Sequence, residues 1–154
     1  MDRYNHMDDY INAKLNISKN LSEKTKLIYN SDDELLSKRI QPAYNVIPFS
    51  ITKNNIIEYA EKGDNYLQFK NKKYIFKTPL LGIHNFYNIL AAATIANSYR
   101  IEWMDIVQSI MYFDPLPHRI ESLPSYGGVK YINDSKSTTI ASTIAAIECF
   151  NNII

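Results

Sequence analysis

Glycine and cysteine are scarce in this chain, and each scarcity excludes a class of site. Only 4 of the 154 residues are glycine, and no stretch matches the GxxxxGK[ST] or GxGxxG patterns that cradle phosphate groups. The single cysteine, Cys149, excludes an internal disulfide framework and a cysteine-based metal site. We therefore expect a protein of a reducing compartment, and we interpret Cys149 as a half-buried helix residue.

The chain also lacks an excess of charge and a long hydrophobic run. Because the formal net charge is only +1, electrostatics favour neither a nucleic acid nor a membrane as partner. No apolar run approaches the roughly 20 residues that span a bilayer, and the polar N-terminus has no signal-peptide core. The 45% hydrophobic and 21% charged residues are ordinary for a soluble globular protein. We expect a cytoplasmic monomer with the length of about one domain.

The spacing of the apolar residues predicts an α/β chain. Strands are expected at Lys26–Tyr29, Val46–Ile51, Ile56–Tyr59, Tyr66–Phe69 and Tyr74–Phe76, the last two as an antiparallel hairpin. Helices are expected at Met7–Leu21 with Asn5 as cap, from Asp32 or Asp33 to Lys38, and from His84 to near Arg100. A further helix is expected at Trp103–Phe113, with Met104, Val107, Ile110 and Met111 as its buried stripe. The last helix is expected to begin near Ala141 and to bury Ile144, Ile147 and Phe150.

Pro115 and Pro117 end the Trp103 helix and predict a joint between two domains. Beyond the joint, the strands Ile120–Ser125 and Val129–Ile132 flank a tight Gly-Gly turn. The last residues, Asn152–Ile154, resemble the beginning of another strand.

The densest cluster of chemically useful side chains lies between Leu116 and Thr138. The strand Val129–Ile132 leads directly into Asn133, Asp134, Ser135, Lys136 and Thr138, and His118 and Arg119 lie one hairpin upstream. Ligands of open α/β sheets gather at the carboxyl ends of strands, which favours a binding site here. A strand that leads into an N-capped helix explains the same residues. Local chemistry alone leaves both interpretations open.

Two helices carry further candidates. Lys14 lies four residues after Tyr10, on or beside the apolar face of the first helix. A lysine there ordinarily exposes its ammonium group, whereas partial burial would make its amine modifiable. On the helix that begins near His84, Asn85 suits the cap position, and Asn88 could complete that cap or face a ligand.

Four segments of the chain together resemble the Mur ligase superfamily. LPHRIE at Leu116–Glu121 is similar to the motif LPHR[FI]E, and YINDSKST at Tyr131–Thr138 is similar to [WYF]INDSK[AS]T of the D-glutamate-adding branch. HNFYN at His84–Asn88 resembles GxHNxxNxxAA, and MDRY at Met1–Tyr4, followed by the Lys14 helix, resembles the segment before a modified lysine. The resemblance covers essentially the whole chain, although Pro115 replaces the usual glycine before LPHR.

The resemblance implies an α/β architecture built from parts of two domains. Residues 1–114 would be the second half of the central, P-loop NTPase-like ATP-binding domain, and residues 115–154 the truncated start of a Rossmann-like C-terminal domain. The superfamily's UDP-binding domain and phosphate loop have no counterpart in this sequence. We therefore expect a fragment in which Met1 is an internal methionine, and we expect it to be inactive alone.

The resemblance also implies an ATP-dependent amide ligase that adds D-glutamate to UDP-N-acetylmuramoyl-L-alanine in peptidoglycan synthesis, with ATP and Mg²⁺. The reaction would pass through an acyl phosphate. By motif position, the resemblance implies that Lys14, as a carbamate, would bind Mg²⁺, and that His84, Asn85 and Asn88 would lie near the adenine. It also implies that Arg119 would contact phosphate and that Asp134 would contact the nucleotide. Lys136 and Thr138 would lie at the acyl-phosphate and D-glutamate end. His118 would orient or donate nearby, or stabilise the joint.

Other interpretations stay open. Ser135 is interpreted as a helix cap and not a nucleophile, because the sequence places no histidine base beside it. The chain could be a non-catalytic remnant, or another ligase of the superfamily such as the folate-polyglutamating enzyme, against which the NDSK sequence argues. An unrelated Rossmann-like binding domain is disfavoured because the dinucleotide fingerprint is absent.

Overall fold

The computed structural model describes residues 4, 6–22, 24–40, 45–52, 57–60, 65–69 and 72–154. Residues 1–3, the predicted cap Asn5, and most of the predicted turns at 62–65 and 70–73 lie outside these ranges. The helices are α1 Met7–Leu15, α2 Glu34–Ser37, α3 Ile83–Ser98, α4 Trp103–Met111 and α5 Ile140–Ile147, with a 3-10 turn Asn16–Asn20 after α1. The strands are β1 Leu27–Asn30, β2 Val46–Phe49, β3 Ile57–Ala60, β4 Asn65–Phe69, β5 Lys72–Phe76, β6 Glu121–Tyr126 and β7 Val129–Asn133. The predicted mixture of helices and strands is confirmed.

The strands form separate small sheets. β1 and β2 run parallel, with Leu27 opposite Val46. β3, β4 and β5 form an antiparallel sheet, and the predicted β4–β5 hairpin is confirmed with Tyr66 opposite Ile75. β6 and β7 form an antiparallel hairpin whose turn residues Gly127 and Gly128 both have positive φ. A two-residue turn with positive φ at both positions matches the natural twist of the strands, which explains the glycine pair.

Helix α3 lies at the centre of the core. Its buried residues Phe86, Ile89, Leu90 and Ala93 recur at helical spacing and form one face, as the sequence predicts. This face packs with Phe49 of β2, Leu67 and Phe76 of the antiparallel sheet, and Ile106 and Val107 of α4. Among the described residues, no helix is long and apolar enough to cross a membrane.

Some predicted burial is wrong. Met104 and Met111 of α4 are 60% and 42% exposed, because α4 turns Ile106 toward the core together with Val107, which is buried as predicted. In α5, Ile144 and Ile147 are each 49% exposed, and Ala146 is the buried residue. Periodicity identifies an apolar stripe on a helix, but it does not identify the element that packs against that stripe. The final residues 152–154 are exposed and form no strand.

Two predicted caps are also wrong. Helix α3 is capped by Gly82, whose φ of +86° and ψ of 151° suit only glycine, so Asn85 lies inside the helix. Helix α5 begins several residues after Ser135. Its cap is Thr139, which accepts from the Ser142 backbone while the Ser142 side chain accepts from the Thr139 backbone. This reciprocal pair is a capping box with serine in the third position.

A single carboxylate joins the carboxyl ends of β1 and β2 to helix α3. Asp32 accepts hydrogen bonds from the hydroxyls of Ser50 (2.6 Å), Thr52 (2.5 Å) and Tyr87 (3.2 Å), and from the backbone N–H of Ile51 (2.7 Å). Burial alone raises the pKa of Asp32, but the hydrogen bonds outweigh it and lower the pKa from 3.8 to about 2. Because the charged form makes these contacts, the ionised carboxylate stabilises the fold.

This network predicts a stability that depends on Asp32 at low pH. The pKa of Asp32 is lower in the folded chain, about 2, than its ordinary 3.8. Its contribution is therefore fully present above about pH 4 and is lost as the pH falls toward 2. Allowing for solvent screening, we expect Asp32→Asn to cost about 1 to 2 kcal/mol of unfolding free energy near pH 6 and little near pH 2.

Urea unfolding of the wild type and the variant at several pH values measures this difference, with the exposed Asp114 providing the control variant Asp114→Asn. If the difference in unfolding free energy between the wild type and Asp32→Asn does not change with pH, the ionised Asp32 carboxylate does not stabilise the fold as proposed.

Candidate functional site

A cavity of about 260 Å³ lies between the beginning of α3 and the segment that joins β7 to α5. Its walls are His84, Asn85 and Asn88 on one side, and Arg119, Ile120, Asp134, Lys136, Ser137, Ser142, Ala145 and Ala146 on the other. The sequence motifs around His84, Arg119 and Asp134 therefore meet at one place, although they are far apart in the chain.

The α3 wall offers neutral polar groups. The side chain of Asn85 donates from Nδ2 to the Leu81 carbonyl at 2.7 Å, and Asn88 approaches the Asn85 Oδ1 atom at 3.5 Å. Nδ1 of His84 is buried and has no hydrogen-bond partner among the residues that the structure describes. Because Asn88 is exposed and makes no shorter side-chain hydrogen bond within the described part of the chain, its amide can both donate to and accept from a ligand.

The two predicted domains touch beside this wall. A Cβ atom built on Gly82 would lie 2.7 Å from Sγ of Cys149 and 2.8 Å from Cε1 of His84. Cys149 is half-buried as predicted, but it lies in the turn after α5 and not in the helix, and its thiol donates to the Ala145 carbonyl at 3.3 Å. Glycine at position 82 thus allows the end of α5 to approach the beginning of α3.

Gly82→Ala is expected to lower the free energy of unfolding by about 2 to 4 kcal/mol, and Gly127→Ala by about 1 kcal/mol. Both glycines have positive φ, but the ψ of 151° at Gly82 lies in a region essentially restricted to glycine. A Cβ on Gly127 would meet nothing within 4 Å, so Gly127→Ala measures the cost of a positive φ without a steric conflict. Thermal or urea unfolding of both variants measures the difference; equal costs would contradict the close packing at Gly82.

The opposite wall is organised by Asp134. One carboxylate oxygen accepts from the backbone N–H of Ile120 at 3.1 Å, and the other accepts from the hydroxyl of Ser137. The backbone of Ser137 also donates to the Asp134 carbonyl at 2.9 Å, which closes a turn after β7. Each carboxylate oxygen has two lone pairs, so Asp134 keeps capacity to accept from a ligand hydroxyl.

Arg119 enters the cavity from a short turn, His118–Ile120, that we call the arginine turn. Its guanidinium and the ammonium of Lys136 are cations on the same wall as Asp134. A planar guanidinium binds phosphate or carboxylate through two parallel hydrogen bonds. A cavity with amides on one wall and cations on the other suits a ligand with a polar ring at one end and an anionic group at the other.

The structure brings together some of the predicted site residues and leaves others outside. His84, Asn85, Asn88, Arg119, Asp134 and Lys136 all line the cavity. His118, Thr138 and Lys14 are exposed and are not among its walls.

His118 and Lys14 each interact elsewhere. His118 interacts with Asn133 and Glu121 beside the cavity. Lys14 places its ammonium 4.7 Å from the centre of the Tyr10 ring. In the part of the chain that the structure describes, no group of three or more His, Cys, Asp or Glu side chains could hold a metal ion.

Sequence reasoning missed several of the cavity's walls: Ile120, Ser137, Ser142, Ala145 and Ala146. Ser142 could have been found as the third residue after a Thr139 cap, which is the capping-box position. The neighbouring alanines signal close packing of α5, but nothing in their spacing indicates that they face a cavity.

This chain is similar to proteins of the Mur ligase family. Residues 1–96 match the model of the Mur ligase middle domain. A UDP-N-acetylmuramoylalanine--D-glutamate ligase from Fusobacterium nucleatum is 34% identical over 155 residues, which cover 100% of this chain and 36% of the relative. This chain therefore spans about a third of the length of the relatives that it matches.

Solved structures share the fold. MurF from Acinetobacter baumannii superposes with a TM-score of 0.79 at 18% identity, covering 94% of this chain and 34% of that chain. MurF from Thermotoga maritima, solved in complex with ADP, superposes with a TM-score of 0.70 at 15% identity, covering 92% of this chain and 34% of that chain. At these identities the likeness supports the fold alone, and the predicted α/β architecture of this type is confirmed.

Proposed function

Because this chain belongs to the Mur ligase family, we propose that it is part of an ATP-dependent ligase that adds D-glutamate to UDP-N-acetylmuramoyl-L-alanine in peptidoglycan synthesis. The choice of D-glutamate rests on the NDSK sequence after β7 and on the name of the 34%-identical relative. The observation that carries the proposal is the cavity, where residues of three separate motifs line one space: His84 and Asn88 from the first, Arg119 from the second and Asp134 from the third.

The two walls divide the chain as the resemblance implies. We propose that residues 1–114 are the C-terminal part of a central ATP-binding domain and that residues 115–154 begin a Rossmann-like domain. The position of the cavity supports this division, because α3 contributes one wall and the segment after β7 contributes the other. A ligand between the walls would contact both parts at once, which is the usual situation of sites at domain interfaces.

The donor set of the cavity suits an adenine nucleotide. Amide groups such as those of Asn85 and Asn88 pair with the polar edge of a base, and His84 lies on the same wall. The free acceptor capacity of Asp134 suits ribose hydroxyls, and Arg119 suits phosphate oxygens. We propose these roles for the four motif residues and for His84.

In the intact enzyme, ATP would supply the phosphoryl group that activates the substrate carboxylate. The amine of D-glutamate would then replace the phosphate and form the amide. Arg119 and Lys136 would stabilise the negative charge that develops on the transferring and leaving phosphoryl group. We propose that Thr138, exposed just beyond the cavity, lies toward the D-glutamate end.

The magnesium role proposed for Lys14 gains no support from the described residues. A carbamate on Lys14 would offer oxygen ligands of the kind that Mg²⁺ prefers. However, Lys14 is exposed beside Tyr10, and the part of the chain described here offers no cluster of carboxylate or histidine ligands.

Nucleotide selectivity tests the proposed function. We expect the chain to bind ADP at least about tenfold more tightly than GDP, because amide groups that match the edge of adenine do not match guanine. Asn88→Ala should remove most of this preference, whereas Asn12→Ala, an exposed position on α1, should not change it. Titration followed by NMR measures both affinities. Equal binding of ADP and GDP by the wild type would contradict the proposed site.

Because the sequence contains no GxxxxGK[ST] loop, we expect no ATP hydrolysis and no amide formation by this chain alone. ATP turnover by the purified chain would indicate a complete catalytic site, and would contradict the proposal that another part of a longer enzyme supplies the phosphate-binding loop.

A further inference from the structure

The arginine turn is strained on both sides of Arg119. His118 has a φ of +64° and Ile120 a φ of +50°. Positive φ is uncommon for any residue other than glycine, and it is an outlier for a β-branched residue such as isoleucine. Each such residue costs about 1 to 3 kcal/mol and persists only where surrounding contacts hold it. Something in the structure must therefore hold this turn in place.

The carboxylate of Glu121 is one of these contacts. Its Oε2 atom accepts from the backbone N–H of His118 at 2.8 Å and from Nδ2 of Asn133 at 3.1 Å. The same Asn133 nitrogen lies 2.8 Å from Nδ1 of His118. Glu121 and Asn133 are directly opposite each other in the β6–β7 hairpin, so the sheet register fixes their separation.

Two residues that line the cavity, Asp134 and Lys136, also hold the arginine turn through hydrogen bonds. Asp134 accepts from the backbone N–H of Ile120, and the backbone N–H of Lys136 donates to the His118 carbonyl at 3.2 Å. The two residues that flank Arg119 are thus each tied to a carboxylate. Asp134 also lines the cavity, whereas Glu121 does not. The contacts of Glu121 reach the cavity through the backbone of the arginine turn.

We propose that Glu121 is a positioning residue that holds the arginine turn so that Arg119 faces the phosphate end of the cavity, with Asn133 and the His118 ring as its partners. The proposal rests on the proposed function, because it assigns Glu121 a role in presenting a nucleotide-binding arginine. It also assigns His118 to this supporting cluster, outside the reacting groups.

The test compares two ligands that differ only in their phosphates. Glu121→Ala should weaken binding of ADP by about tenfold, because a misplaced guanidinium loses its charge-assisted hydrogen bonds. Binding of adenosine should stay within about twofold, because adenosine has no phosphate for Arg119 to contact. Glu121→Gln should retain most of the ADP affinity, since its amide oxygen can still accept from His118 and Asn133. Glu102→Ala, at an exposed position, is the matched control.

A double variant separates positioning from a general structural effect. If Glu121 acts through Arg119, the change Glu121→Ala should cost no further ADP affinity when Arg119→Ala is already present. Additive losses would overturn the proposal. Equal losses of ADP and adenosine affinity would also overturn it, because they would indicate a collapsed cavity.

The backbone angle of His118, whose N–H donates to Glu121, gives a measurement that does not depend on any ligand. Scalar couplings should report a positive φ at His118 in the wild type and its loss in Glu121→Ala. If the wild type binds neither ADP nor adenosine, the proposed function fails and this angle alone decides the role of Glu121. A positive φ retained in Glu121→Ala would then overturn the positioning role.

Discussion

Leu90→Ala is expected to lower the free energy of unfolding by about 3 to 5 kcal/mol, the largest stability effect that we predict. Leu90 is fully buried at 0% exposure, in the middle of the α3 face that packs against the β1–β2 sheet, the β3–β5 sheet and α4. Removing its side chain loses transfer free energy and leaves a cavity that the surrounding helix and strands cannot fill. Because domains of this kind are stable by only about 5 to 15 kcal/mol, the variant should be close to unfolding.

Urea unfolding followed by circular dichroism measures the loss, and two further variants make the result interpretable. Ile95→Ala on the same helix is 46% exposed and should cost less than about 1 kcal/mol. Leu90→Met, which nearly preserves the volume, should cost less than about 1.5 kcal/mol and should fold even if Leu90→Ala does not. Similar costs for Leu90→Ala and Ile95→Ala would contradict the central position of α3.

Arg119→Ala is expected to weaken ADP binding by about 10- to 100-fold while adenosine binding stays nearly constant. Hydrogen bonds to charged groups contribute about 1.5 to 3 kcal/mol, and each 1.4 kcal/mol corresponds to a factor of ten in affinity. Arg119 and Lys136 both line the cavity, so part of the phosphate interaction should remain after the substitution. Arg119→Lys should recover only part of the loss, because an ammonium cannot reproduce the paired hydrogen bonds of a guanidinium.

The control for this experiment is Lys130→Ala, which removes an exposed cation of β7 that is not among the cavity walls. It should leave both affinities unchanged. A loss of ADP affinity in Lys130→Ala equal to that in Arg119→Ala would indicate general electrostatic attraction, and would contradict a specific contact by Arg119.

The sequence was sufficient for the elements whose pattern is local. The apolar face of α3 and the β4–β5 hairpin follow directly from periodicity and turn residues, and both are confirmed. Burial in α5 was not predictable in the same way. Whether Ile144 is covered depends on which element packs against it, and no local pattern contains that information.

The candidate site was also predictable only in part, because residue types are local but their meeting in space is not. The types of residue at Asn88, Arg119 and Asp134 suggest hydrogen bonding and anion binding, but the sequence alone left a capped helix equally open. Their meeting in one cavity depends on long-range packing and, in the sequence, was accessible only through the resemblance of the separate motifs. The strained φ of Ile120 and the support from Glu121 had no sequence signal, because isoleucine at that position predicts an ordinary strand.

The most direct test of the central claim is to map where ADP binds on the isotope-labelled chain by NMR. We expect the signals of the cavity walls, led by Asn88, Arg119 and Asp134, to shift on addition of ADP, while those around Tyr10 and Lys14 do not. Saturable shifts at some other surface, with the cavity signals unchanged, would contradict it.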